Sequence, residues 1–162
     1  PDFHTTFALP QYDDSSWQTG MDSPGPGGGF GYGDPTRVVW RTPEITNRKT
    51  AYLRHHFKTT ERMERLFICM QRDDGVIVYL DGKEIARDNV GQGKEAYALV
   101  AIGPVPSESE TAVNCFDLPG SLEPGEHVLA VSLHNCAGSS SDLRIAEISL
   151  HGVPVRVTTK RP

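Results

Sequence analysis

Asp73-Asp74-Gly75-Val76-Ile77-Val78-Tyr79-Leu80-Asp81-Gly82-Lys83-Glu84 is the stretch whose reading decides the fold. Residues 76–80 are apolar on both faces and bounded by turn residues, the pattern of a short strand buried on both sides. Asp81-Gly82 follows at once. This dipeptide favours the two-residue type I′ turn, whose central residues both need positive φ. Residues 83–87 then read as the returning strand, so the unit is an antiparallel hairpin.

The same grammar extends in both directions. Residues 50–57 alternate, placing Leu53, His55 and Phe57 on one face and Tyr52, Arg54 and His56 on the other. Residues 66–71 read as a second central strand, apolar on both faces. Residues 36–41, 96–102 and 112–118 carry shorter strand signals. Residues 127–134 put Leu129, Val131 and Leu133 inward and Ala130, Ser132 and His134 outward. In the last strand the apolar phase slips from Leu143 and Ile145 to Ile148 and Leu150, which predicts a bulge near Ala146-Glu147. No segment sustains a helical period. About nine short strands predict an all-β, two-sheet antiparallel sandwich.

Composition bounds the partners. The chain has 162 residues, 37% hydrophobic and 23% charged, with formal net charge −5. That length suits a single domain. We read residues 1–152 as one sandwich, with its loop-rich N-terminal segment (residues 1–35) packed on it, and residues 153–162 as a strand or linker toward a further domain. Lys and Arg are scattered, so the clustered cations of a nucleic-acid surface are missing. No apolar run reaches membrane-spanning length. A monomer is expected. Glycine (16) and proline (12) gather between the apolar runs, most densely in 23–33, which is too rich in both for a helix or a central strand. The glycines at 25–33 lack the order of a phosphate loop. Three cysteines cannot all pair internally. Cys69 reads as a buried thiol within an apolar strand, and Cys115 and Cys136 pair only if their Cα atoms come within about 7 Å.

The co-linear order of motifs carries a resemblance. Asp13-Asp-Ser-Ser-Trp17 is followed by Gly29-Phe-Gly-Tyr-Gly33, Tyr52-Leu-Arg-His-His-Phe57, the hairpin stretch, the segment from Leu122 to Asn135, and Ser139-Ser-Ser-Asp-Leu143. This order, over most of residues 13–150, resembles the galactose-binding-like jelly-roll modules of secreted bacterial hydrolases and surface proteins. It is also similar to the non-catalytic sandwich that opens glycoside hydrolases of the β-galactosidase and β-glucuronidase type. Leu53 stands where that pattern usually has Phe, and His55-His56 where Lys-Thr is common. The resemblance implies an extracellular or cell-envelope accessory domain, frequent carbohydrate binding and often one structural Ca2+.

Candidate residues follow from that chemistry. A sugar site needs an aromatic platform and a few polar groups. Tyr32, Trp17 and Tyr97 supply platforms, with Tyr32 the most exposed, and Tyr12 and Trp40 are further aromatics. Arg54, Asp74, His134 and Asn135 supply polar partners. For calcium, which takes six to eight oxygens, the set is Asp13, Asp14, Asp34 and Glu147. The pair Asp73-Asp74 reads first as a turn whose carboxylates bond nearby backbone N–H groups. Ser-His-Asp ingredients exist at 134 and 139–142, but no nucleophile elbow accompanies them, so no catalysis is expected. The alternatives to a sugar-binding module are a structural spacer that packs on a neighbouring domain of the parent chain and, behind it, an autonomous hydrolase.

Overall fold

A computed structural model describes residues 3–18, 28–31, 49–93, 98–138 and 143–155, with 28–31 as backbone only. Among the described residues eight strands form two four-stranded antiparallel sheets, as the alternation predicts. The front sheet has the order β2 (Thr50–Thr59), β7 (Gly125–His134), β4 (Gly75–Leu80), β5 (Lys83–Asp88). The back sheet runs β1 (Gly28–Gly31), β8 (Arg144–Pro154), β3 (Met63–Asp73), β6 (Asn114–Asp117). One helical turn, Phe3–Thr6, and a 3-10 turn, Ser107–Ser109, complete the described elements. Among the described residues no helix is long and apolar enough to cross a membrane.

The core lies between the sheets. Leu66, Ile68 and Met70 of β3 meet Val76 and Val78 of β4 and Leu129, Val131 and Leu133 of β7. The β4–β5 turn forms where expected, with φ of +50° at Asp81 and +82° at Gly82. In the ladder, Cys69 opposes Ser149 while Gln71 opposes Ala146, so β8 carries one extra residue there. Glu147, at φ +49°, takes up that residue. The predicted bulge is therefore present, and it lets Ile145 and Leu150 reach the same core.

Four expectations need correction. Residues 98–102 form no strand and make only an isolated bridge between Val90 and Ala101, because that segment packs as a loop against the end of β7. β3 is not buried on both faces: Leu66, Ile68 and Met70 point inward, whereas Phe67 is 36% exposed. Cys69 is not a free thiol. It lies directly opposite Cys115 of β6, with Cα atoms 4.1 Å apart, and the two form a disulfide, leaving Cys136 reduced. Finally, the outward residues of β7 are buried. Val128 and Ala130 lie beneath Phe7 and Ala8 of the N-terminal segment, which also covers Tyr52 and Tyr79. The glycine-rich stretch contributes β1, which sits at a sheet edge as its composition requires. The strand signal at 36–41 lies outside the described residues.

Candidate functional site

The residues singled out from sequence fall into separate places. Arg54, on the outer face of β2, is a fastener for the N-terminal segment. Its side chain is 1% exposed and its Nε donates to Asp14 Oδ2 at 2.7 Å. Its terminal nitrogens donate to the carbonyls of Phe7, Leu9 and Tyr12. The five fixed donors of a guanidinium suit this task. His56 Nε2 reaches the same Asp14 oxygen at 2.8 Å. Hydrogen bonds from Arg54, then His56, hold the Asp14 carboxyl below its ordinary range. Trp17 joins this cap through Phe3 and Tyr12, with ring centroids 6.0 and 5.7 Å away.

Asp74, His134 and Asn135 gather at one end of the sandwich, where they are 3%, 0% and 1% exposed. Asp74 accepts the backbone N–H of Val105 at 2.8 Å and of Cys136 at 2.7 Å, partners 31 and 62 residues away. The carboxylate thus ties loops that are distant in sequence, rather than the near neighbours a simple turn would offer. His134 Nδ1 donates to the Leu99 carbonyl at 2.8 Å, and its Nε2 is hydrogen-bonded with the Ser132 hydroxyl at 2.9 Å. These groups hold loops together and are buried within the fold. Tyr32 and Tyr97 lie outside the described residues, as do Trp40 and Asp142.

The metal set is likewise dispersed. Asp13 accepts the Ser15 N–H at 3.0 Å, and bonding from Ser15 keeps its carboxyl below the usual range. Asp14 is engaged over the front sheet, whereas Glu147 is exposed on the back sheet. Asp34 lies outside the described residues. Among the described residues no three His, Cys, Asp or Glu side chains are placed to hold one ion. The described members of the set do not fit a shared calcium site.

What the fold does assemble is a cleft that sequence reasoning missed. Beneath the edge strand β2, where the sheets diverge, lies a cavity of about 300 Å³. Its floor is hydrocarbon, from Leu66, Leu122, Leu129, Ile148 and Leu150. Its lip is supplied by β2, with His55, Phe57 and Thr59, and by His151 of β8. The rings of His55 and Phe57 lie 8° from parallel, 6.2 Å apart. Thr59 Oγ1 donates to the Glu123 carbonyl at 2.9 Å, so its lone pairs face outward from that bond. At Gly152 a Cβ would stand 2.7 Å from Leu66 Cδ2, so only glycine lets β8 close the floor this tightly. One signal did exist in the sequence. His55 is a polar residue in phase with Leu53 and Phe57, both of which pack on the core, yet His55 is exposed. A polar side chain on the inward face marks the place where the sandwich opens.

No protein-family model and no curated protein matches the chain. Solved structures do. A Bacteroides uniformis beta-glucuronidase is 15% identical over 88% of this chain and 16% of its own, with a TM-score of 0.44. A calcium-binding mutant of Bacteroides uniformis beta-glucuronidase 2 gives 12% identity, the same coverages and the same TM-score of 0.44. A GH2 beta-galacturonidase from Eisenbergiella tayi, bound to galacturonate, is 17% identical over 65% of this chain and 18% of its own, with a TM-score of 0.34. The chain thus spans about 16% of the length of the glycosidases it is first matched with.

Proposed function

We propose that this sandwich is a non-catalytic, carbohydrate-binding accessory module of a larger extracellular or cell-envelope protein, with its sugar site in the cleft under β2. The observation that carries the reading is the cleft's two-sided chemistry. It joins a concave hydrocarbon floor to the Phe57 ring and three polar residues, His55, Thr59 and His151. Small-ligand sites have this make-up, and a pyranose presents a matching pair of apolar and hydroxylated surfaces. The Cys69–Cys115 disulfide supports an oxidising compartment, where such bonds persist. One lip and a few hydrogen bonds support affinities in roughly the micromolar-to-millimolar range.

A second reading, a spacer sandwich that packs on a neighbouring domain, draws support from the fate of Arg54, Asp74, His134 and Asn135. All four are engaged inside the fold. A glycan array decides between the two. The sugar-binding reading expects a set of related glycans to be retained by the full chain and released by the free sugar. An array without retained glycans assigns the protein to the spacer class.

A further inference from the structure

The cleft can gain positive charge and is lined by no group of the opposite sign. Its titratable side chains are His55, from β2 of the front sheet, and His151, from β8 of the back sheet, and no carboxylate lines it. Both imidazoles are exposed. Among the described residues neither has an ion-pair partner, whereas His56 meets Asp14 at 2.8 Å and His127 meets Asp81 at 2.7 Å. Ser149 engages Nε2 of His151 at 2.8 Å, which leaves Nδ1. The surroundings keep this balance. Leu129 opposes His55 in the ladder, and Lys58, on the other face of β2, pairs with Glu126. Phe67 opposes His151, with Asp117 in register on its other side, one strand farther away. Glu64 and Glu123, next in sequence to the lining residues Met63 and Leu122, are both held by Arg62 at 3.3 Å. The hydrocarbon of the floor offers an anion no compensation for lost water, so the two histidines are where a negative group is received.

We infer that the sugar of this cleft is acidic, a ring whose carboxylate or sulfate ester is held at the rim by the imidazoles of His55 and His151. The inference rests on the sugar-binding reading above and names its substrate class. Histidine is the side chain that ordinarily gains its charge as pH falls through about 6.5, so the preference belongs to mildly acidic solution. Charge-assisted bonds are stronger than neutral ones, but at an exposed rim solvent screens them, which limits the preference to roughly three- to tenfold.

Matched pairs that differ only in the anionic group isolate the effect: D-glucuronic acid against D-glucose, D-galacturonic acid against D-galactose, and D-galactose 6-sulfate against D-galactose. The full chain is titrated calorimetrically with the methyl glycoside of each at pH 5.5 and at pH 8, beside His55→Gln and His151→Gln variants checked for folding by their melting curves. In at least one pair the acidic sugar binds threefold or more tightly at pH 5.5, and the advantage disappears at pH 8 and in at least one variant. Whether the uronate pairs or the sulfate pair show it identifies the anion. Equal affinities within every pair at pH 5.5, or a preference for the neutral partner, overturn the acidic assignment and leave sugar binding standing. The same holds if none of these glycosides binds while the array retains neutral glycans. An acid preference that persists at pH 8, or that survives both substitutions, overturns the part given to the histidines. If neither these glycosides nor any arrayed glycan binds, the assignment falls together with the sugar-binding reading.

Discussion

The two outer faces of the sandwich are built from the same alternation and meet opposite fates. On the front sheet, Tyr52, Tyr79, Val128 and Ala130 are roofed by Phe3, Phe7, Ala8 and Trp17, so strands β4 and β7 are buried on both sides. On the back sheet, Phe67 and His151 stack with ring centroids 4.6 Å apart and both remain exposed. The front face is secured by a segment of chain and an arginine, and the back face by a disulfide between a central and an edge strand. Strand periodicity tells which residues leave the core. What then covers them depends on chain that is distant in sequence.

The largest expected contrast is between two phenylalanines. Phe7 is 1% exposed at the centre of the front roof. Phe7→Ala should cost about 3–5 kcal/mol through the cavity it leaves, read from urea midpoints at constant slope. Phe67→Ala on the back face should cost less than about 1 kcal/mol. Similar costs would mean that the two faces are equally covered.

Next is the staple of the back face. Removing the Cys69–Cys115 bond by a double change to Ala releases a closure across 46 residues. Chain entropy puts its contribution at about 2–4 kcal/mol. Dithiothreitol should lower the melting temperature of the native protein and leave the double variant unmoved. A native protein indifferent to reductant would show that β6 is held by packing alone.

Much of this was readable in advance. The hairpin at Asp81-Gly82, the bulge at Glu147 and the two faces of β2 all follow from local chemistry, where φ preference and period act over a few residues. The disulfide was within reach, because Cys69 shares parity with the exposed Phe67 rather than with Leu66, Ile68 and Met70. The candidate site was not legible in the same way. Asp74 and His134 look like recognition groups in sequence because polar residues at strand ends usually meet water. Here Asp74 meets the N–H groups of Val105 and Cys136, and His134 meets the carbonyl of Leu99. No local rule identifies such partners. The cleft is a property of two sheets diverging, and its one local sign is the histidine at an inward position of β2.

A smaller effect tests what holds the roof. Asp14 is bound by Arg54 and His56, and its carboxyl is held below the ordinary aspartate range. A depressed folded-state value stabilises above the unfolded value and is lost as pH falls through the folded one. Asp14→Asn should therefore cost about 1 kcal/mol at neutral pH, a surface-screened charge-assisted bond. The difference from wild type should shrink as pH drops below about 4. A gap that persists in acid would assign the loss to shape rather than to charge.

The most direct measurement on the cleft sets two phenylalanines of the chain against each other as glycan contacts. Phe57 lines the cleft, whereas Phe67 is not among its lining residues and lies on the back face, where it stacks on the rim residue His151. The glycan that the array retains most strongly is titrated into folded Phe57→Ala and Phe67→Ala, each checked by its melting curve. A sugar site under β2 predicts that Phe57→Ala weakens binding tenfold or more while Phe67→Ala stays within about twofold of wild type, as expected of a contact residue and a bystander. Undiminished binding by Phe57→Ala, or a loss confined to Phe67→Ala, would contradict the cleft as the sugar site.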